Sequence, residues 1–297
     1  MMNKFIDLHM HSMYSDDGEF TPAQLVDKCH DAGITIMAIA DHNSVKAIDE
    51  AKKAAEQYGI RYIHATEIDC TYNGINLHVL GYGIDHKNPI FNELEENILK
   101  QELSCSEEKL KLTNQLGFEL DKSQLDELSA NGVYTGEMFA EALLNDPRYQ
   151  DHPLLKPYRE NGERSDNPYV NFYWDYYAQG KACYTEVIFP SLKETIKIIN
   201  DNGGIAVLAH PGNNLKGQFE VFDEMVKIGL QGVEAFSNYH DEATVNYFLQ
   251  KGREHQMLIT CGSDYHGKTK PAIELGETRC IIDEHEIEAQ LKEYHLI

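Results

Sequence analysis

The sequence is poor in positive charge: 26 Lys and Arg stand against 49 Asp and Glu, a formal net charge of −23. That balance excludes a broad basic surface of the kind that grips a nucleic-acid backbone. An anionic substrate would need local positive charge from elsewhere, and bound metal is one source. Cysteine is sparse. The six residues at 29, 70, 105, 183, 261 and 280 form no CxxC pair and no small-domain disulfide framework. Long apolar runs are missing too. The N-terminus, MMNKFIDLHMHS, lacks the apolar core of a secretory signal, and no segment approaches the ~18 apolar residues of a membrane span. The chain therefore reads as a reduced, soluble, cytosolic protein. Its 297 residues suffice for one large domain or two smaller ones at roughly 150 residues per domain.

What the sequence has in quantity is histidine, 14 residues in an acidic chain, which directs attention to metal sites. Short apolar runs, each read as a strand, fall at Phe5–Leu8, Ile36–Ala40, Arg61–Thr66, Leu77–Tyr82, Ile205–Ala209, Gly232–Phe236 and Met257–Cys261. Helical patterns separate them at Thr21–Ala32, Val45–Tyr58, Ser191–Asn202, Phe219–Ile228 and Asp241–His255. Thr21 before Pro22 reads as an N-cap followed by a first-turn proline. Strands alternating with helices predict a parallel α/β architecture. Asn73-Gly74, a favoured tight-turn dipeptide, predicts one hairpin within it. The rhythm breaks over 89–184, where helical patterns at 91–117, 123–130 and 136–144 precede an irregular Pro-, Asn- and Tyr-rich stretch. This reads as an inserted helical cap subdomain in a domain formed by 1–88 and 185–297.

Metal-competent side chains recur at the ends of the predicted strands. His9 and His11 follow the first, and in extended chain such i, i+2 residues share a face and can chelate one ion. Asp16 follows closely. His42 ends the second strand, Glu67 the third, His78 lies in the fourth, His210 ends the fifth, and Asp264 with His266 end the last. Taken singly, each has an ordinary alternative, such as a helix cap, a solvated carboxylate or a buried histidine. Nine at strand ends point to a site at the strand C-termini, where α/β barrels carry their chemistry. His and carboxylate together suit Zn²⁺, Mn²⁺ or Fe²⁺ better than the all-oxygen cages of Ca²⁺ and Mg²⁺.

The run DLHMHS, then IADHN, Glu67, His78, AHPG and GSDYHG resemble, in order, the motifs of the PHP (polymerase and histidinol phosphatase) family. The resemblance implies a distorted (βα)7 TIM-like barrel holding three divalent ions. By it, His9, His11, Glu67 and Asp264 would hold the first ion. Glu67 would bridge to a second, completed by His78 and His210, and Asp16, His42 and His266 would hold the third. Asp7 and Asp41 would orient ligating imidazoles by accepting their other N–H. The implied reaction is phosphoester hydrolysis by a metal-bridging hydroxide, with Asp264 among the catalytic groups.

The long segment between His78 and His210 resembles the long-insert group of that family, which includes nucleoside 3′,5′-bisphosphate phosphatases and exonucleases on short RNA. Gly-Lys-Ala-Cys-Tyr at 180–184 is similar to that group's Gly-Lys-x-x-Tyr segment. His240 stands where the group has a substrate-facing histidine. Lys181 and His240 are thus candidates for phosphate contact and leaving-group protonation. One departure stands out: an Arg-Pro-His element of the group aligns with Gly136-Glu137-Met138, where Glu137 would repel an anion. Arg148, Arg159 or Arg164 could substitute. The aromatics of 169–177 are read chiefly as packing, or as a stacking face for a planar group. The expected substrate is a small phosphomonoester, with a nucleotide or nucleoside 3′,5′-bisphosphate in view. The alternatives are a phosphodiesterase or exonuclease on short oligonucleotides, a histidinol-phosphate phosphatase, a non-catalytic metal-binding module, and an amide hydrolase.

Overall fold

The computed structural model describes residues 4–129 and 131–297. A three-stranded parallel sheet runs β1 (Ile6–Asp7), β2 (Ile36–Met37), β3 (Arg61–Tyr62). A five-stranded mixed sheet runs β4 (Ala65–Tyr72), β5 (Ile75–Tyr82), β6 (Ile205–Leu208), β7 (Gly232–Ser237), β8 (Leu258–Gly262). Single bridges join the two at both ends, Met10 with Tyr265 and His42 with Glu67. Backbone hydrogen bonds reinforce them, from Leu8 N–H to Cys261 O at 3.0 Å and from Glu67 N–H to Asp41 O at 3.0 Å. The strands thus stand as two open sheets, without the continuous ladder of a closed barrel.

The expected third strand divides in two. β3 ends at Tyr62, and a new strand begins at Ala65 and runs on to Tyr72, giving eight strands among the described residues where seven were read. Its continuation is the predicted hairpin. β4 and β5 pair antiparallel about Asn73-Gly74, both at positive φ (49° and 79°), the conformation a two-residue hairpin turn of this type demands. Antiparallel register also sets Asp69 directly opposite His78.

Helices α1 (Pro22–Asp31) and α2 (Ile48–Tyr58) cover the first sheet. Thr21 caps α1 by accepting from Gln24 N–H, and the Gln24 side chain returns the bond, a capping box worth about 1 kcal/mol. After the insert come α7 (Leu192–Asp201), α8 (Pro211–Leu215), α9 (Phe222–Ile228), α10 (Glu242–Glu254) and α11 (Glu284–Glu293). Their apolar faces pack with the strands into one core through Ile199, Phe222, Phe248 and Leu291.

Between β5 and α7 lie α3 (Pro89–Gln115), α4 (Lys122–Asp126), α5 (Gly136–Asn145) and α6 (Pro168–Tyr176). These helices build a second core from Phe118, Leu125, Phe139, Leu143, Phe172 and Tyr177. The 27-residue α3 joins the two cores: Phe91 near its start packs on the strands, while Leu110 and Leu112 pack on the insert. The stretch after α5 folds as two 3₁₀ turns, Pro147–Tyr149 and Pro153–Tyr158, each opened by proline. Among the described residues no helix is long and apolar enough to cross a membrane.

Candidate metal centre

The histidines and carboxylates gather on Glu67. Its carboxylate is wholly buried at the C-terminal side of the parallel strands, with one oxygen facing His78 Nδ1 and His210 Nε2, each at 3.1 Å. The other faces His9 Nε2 at 3.2 Å, His11 Nε2 at 3.3 Å and His42 Nδ1 at 3.3 Å. Asp264 Oδ1 completes the cluster at 3.4 Å from His9 and 3.1 Å from His11. Three groups have donor atoms close enough to share an ion: His9, Glu67, His210 and Asp264; His11, Asp17, His42 and His266; and His42, Asp69 and His78.

Whether these residues suit a cation can be judged from their nitrogens. His9 Nδ1 donates to Glu234 at 3.0 Å, and His11 Nδ1 donates to Ser15 Oγ at 2.9 Å. Both Nε2 atoms therefore point inward, and they lie 3.1 Å apart with both rings fully buried. Lone pairs at that distance repel unless a proton or a cation lies between them. Donors at ~2.0–2.2 Å from one ion stand roughly 3–3.5 Å from each other, as these do. Glu67 Oε2, His42 Nδ1, His266 Nε2 and Asp17 Oδ1 are also buried without a hydrogen-bond partner. Unsatisfied buried polar atoms cost about 1–3 kcal/mol each, so four together call for a ligand. The donor set fits divalent metal.

Electrostatics point the same way. Burial would raise the Glu67 carboxyl, but His9, His78 and His42 outweigh it and hold it well below the usual range. Asp264 is likewise held low against burial, by Lys270, His266 and His9. The His11 imidazole is pushed down to about 4 by burial and by the neighbouring His266 and His42, whereas the charge of Glu67 outweighs burial and raises His9, His42 and His78.

Local backbone explains how the side chains reach the centre. His210 and Asp264 close β6 and β8 in left-handed backbone, φ 22° and 57°, which turns their side chains inward just past the strand ends. Such conformations are costly for non-glycine residues and gather at functional sites. Gly262 is fixed by crowding: a Cβ there would lie 2.2 Å from His9 Cβ and 2.4 Å from Glu234 Oε1.

His9, His11, His42, Glu67, His78, His210, Asp264 and His266 all lie in this cluster. Asp16 does not. The acidic member beside His266 is Asp17, whose Oδ2 is 3.1 Å from His266 Nε2, while Asp16 turns away and accepts from Asn131 at 2.7 Å. Asp7 and Asp41 are buried as expected but take no imidazole N–H. Asp7 accepts the backbone N–H of Ser263 and Gly276 at 2.9 and 2.8 Å, and Asp41 accepts from Ser12 and, through its hydroxyl, from Ser15. The orienting partners are instead Glu234 for His9, Ser15 for His11 and the Asp264 carbonyl for His266 at 2.8 Å.

His240 also departs from expectation. It is fully buried, its Nδ1 donates to Ala235 O at 2.9 Å, and its Nε2 accepts Gly212 N–H at 3.0 Å. Both nitrogens are engaged here, so the ring holds the turn after His210, and burial lowers its pKa. Arg148 is locked bidentate onto Asp146 within the insert. Arg159 donates to the carbonyls of Leu144 and Tyr149, and Arg164 pairs with Asp175. All three are engaged inside the insert. Lys181 is exposed on the turn after α6.

Besides Asp17, sequence reasoning missed four groups. Glu234 bridges His9 and the backbone N–H of His210. Asp69 lies 3.2 Å from His78 and is itself held by Asn43 Nδ2 at 2.6 Å. Lys270 and Tyr239 each donate to Asp264 Oδ2 at 2.6 Å, leaving Oδ1 turned to the histidines. Burial disfavours the Lys270 charge, but Asp264 more than offsets it and keeps the ammonium. Of the insert aromatics, Phe172 and Tyr177 are buried in its core, while Tyr173 and Trp174 stay partly accessible.

The family model described as the PHP domain matches residues 7–161. A phosphoribosyl 1,2-cyclic phosphate 1,2-diphosphodiesterase of Eggerthella lenta is 25% identical over 266 residues, covering 88% of this chain and 94% of its own length. A 3′,5′-nucleoside bisphosphate phosphatase of Chromobacterium violaceum is 26% identical, covering 92% and 91%. Among solved structures, a Bifidobacterium adolescentis protein assigned as a metal-dependent phosphoesterase superposes with a TM-score of 0.79 at 25% identity, covering 98% and 97%.

Proposed function

The chain belongs to the PHP domain family, and from that premise we propose that it is a metal-dependent phosphoesterase that hydrolyses a small phosphomonoester. The observation that carries this reading is the convergence of His9, His11, His42, His78 and His210 on the two oxygens of Glu67. Three adjoining donor groups suit three divalent ions, Zn²⁺, Mn²⁺ or Fe²⁺, with Asp17 taking the place expected for Asp16. Bound there, such ions would acidify water and neutralise charge on a phosphoryl group, which answers the −23 balance of the chain.

The chain's own groups then have definite tasks. Glu234 and Ser15 fix the His9 and His11 tautomers with Nε2 as the free donor. Lys270 and Tyr239 engage one oxygen of Asp264, so its other oxygen is held in one position. Asn131 and Glu141 of the insert reach Asp16 and Lys268, tying the insert to the loops that carry Asp17 and His266. Both a monoesterase and a diesterase stand among the relatives. A diester is therefore the second reading, tested with a cyclic phosphate or dinucleotide substrate by chromatography of the monoester product, since diester hydrolysis frees no inorganic phosphate. The two bridged sheets are read as an opened form of a distorted barrel, residues 89–184 as its inserted subdomain, and the six unpaired cysteines as fitting a cytosolic setting.

The test is Asp264→Ala and His210→Ala. Each should abolish phosphate release and reduce bound metal while far-UV circular dichroism is retained. Undiminished turnover in either variant contradicts the proposal.

A further inference from the structure

Among the described residues, Lys270 is the only lysine or arginine paired with a member of the metal cluster. It follows His266 by four positions, just past the 3₁₀ turn Gly267–Thr269, and it is 7% exposed. Its Nζ lies 2.6 Å from Asp264 Oδ2, while Asp264 Oδ1 faces His9 and His11 Nε2 at 3.4 and 3.1 Å. A single carboxylate thus separates the ammonium from atoms that would hold an ion. Tyr239 adjoins it. The Tyr239 hydroxyl shares Asp264 Oδ2 at 2.6 Å, and the ring centroid is 5.5 Å from Nζ. That ring in turn packs at 79° to the His210 ring, 5.6 Å away. Lys270 therefore borders the cluster where Asp264 and His210 meet.

An ammonium carries three N–H groups and no acceptor. Asp264 takes one of them. The Tyr239 hydroxyl gives its own proton to the same oxygen, and Nζ makes no second hydrogen bond among the described residues. A buried charge with N–H groups left over is costly unless an acceptor reaches it. Asp264 cannot meet the whole demand. An ion held by its Oδ1 would draw on the same single negative charge, so the ammonium of the loaded centre needs a second anion. The other basic groups of this region are occupied or remote. Lys268 pairs with Glu141, Arg148 with Asp146 and Arg164 with Asp175; Arg159 holds backbone carbonyls, and Lys181 is exposed on the turn after α6.

We propose that Lys270 is a substrate-contacting residue: one N–H holds Asp264, and another donates to a non-bridging oxygen of the phosphoryl group being hydrolysed. The inference rests on the phosphoesterase reading and deepens it. It places the phosphate-binding cation in the loop after His266, beside the cluster, and not at Lys181. A charge-assisted hydrogen bond to a phosphoryl oxygen is strong and indifferent to the alcohol the phosphate carries. Lys270 therefore recognises the phosphoryl group itself, and the leaving group is selected elsewhere.

The experiment uses the full-length, Mn²⁺-loaded protein with inorganic phosphate as the probe. Phosphate affinity is read by isothermal titration and by competition against a chromogenic phosphoester, with metal counted on every sample. Lys270→Met should weaken phosphate binding at least tenfold and raise KM for the ester in parallel, with metal content within a fifth of wild type. Tyr239→Phe loosens Asp264 without removing the ammonium, so it sets the scale of a purely positioning effect. A Met effect no larger than the Phe effect overturns the inference. Loss of bound metal in Lys270→Met also overturns it, because the residue then acts only through Asp264. Should that variant fail to fold, Lys270→Gln, which keeps a donor for Asp264 and drops the charge, decides by the same criteria. If neither folds, the ammonium is structural and the inference falls. In each of these cases ester hydrolysis by wild type leaves the phosphoesterase reading intact. Wild type that hydrolyses no ester overturns that reading, and this inference with it.

Discussion

Glu234→Gln is the most informative single substitution away from the ligands themselves. Glu234 lies in β7, wholly buried, and its two oxygens have separate tasks: Oε1 accepts from His9 Nδ1 at 3.0 Å and Oε2 accepts from His210 N–H at 2.8 Å. Glutamine keeps the volume but offers one acceptor and one NH₂, so one of the two N–H groups must face another donor. If the lost contact is to His9, the imidazole loses both its negative partner and its fixed tautomer. Replacing such an outer partner typically weakens metal binding 10–100-fold. That corresponds to about 1.4–2.8 kcal/mol. Gly262 leaves little room for relief, since even a Cβ there would come within 2.2 Å of His9 Cβ and 2.4 Å of Glu234 Oε1. The assay is a Zn²⁺ competition titration against a chromogenic chelator, with thermal melting in EDTA to measure the fold without metal. The expected result is a tenfold or greater loss of affinity for the tightest ion. A variant that binds metal within twofold of wild type would refute the claim that Glu234 orients His9 for ligation.

Other expectations follow from the same geometry. Asp17→Asn should lower metal content and cut turnover at least a hundredfold, whereas Asp16→Asn should stay within threefold; atomic absorption and phosphate release on both variants check this. Phe172→Ala should cost about 3–5 kcal/mol through the cavity left in the insert core, read by urea denaturation. His240 has a folded pKa below its usual value because it is buried neutral. The unfolded chain thus binds the extra proton first, and stability falls as pH drops through the region just below ~6.5. Melting temperature should therefore decline more steeply from pH 7 to 5 in wild type than in His240→Asn, and equal slopes would contradict the assignment.

Most of the centre was legible because its residues sit at the ends of short apolar strands, where extended chain fixes the direction of alternate side chains. His9 with His11 is the clearest case. Asp16, expected from the family resemblance, lies beside Asp17 in the Ser15–Gly18 turn, where two adjacent carboxylates look equivalent in sequence and the structure groups Asp17 with the histidines. Asp69 carried a usable signal, since it follows Glu67 by two positions on one strand. So did Glu234, a lone carboxylate inside the apolar strand GVEAFS. Lys270 had none. Its place depends on the course of the loop after His266, which no local pattern encodes. The division of the third strand and the open sheets were hidden for a similar reason: tertiary pairing, not local propensity, decides where a ladder stops.

The most direct test of the central claim is metal content and ester hydrolysis measured on one preparation, read as released phosphate for the monoesters and by chromatography for the dinucleotide. The protein is loaded with Mn²⁺ or Zn²⁺ and offered histidinol phosphate, nucleoside mono- and bisphosphates, a sugar phosphate and a dinucleotide. The account predicts three ions per chain and phosphate released from a small monoester. Full metal occupancy with no hydrolysis of any ester would contradict it.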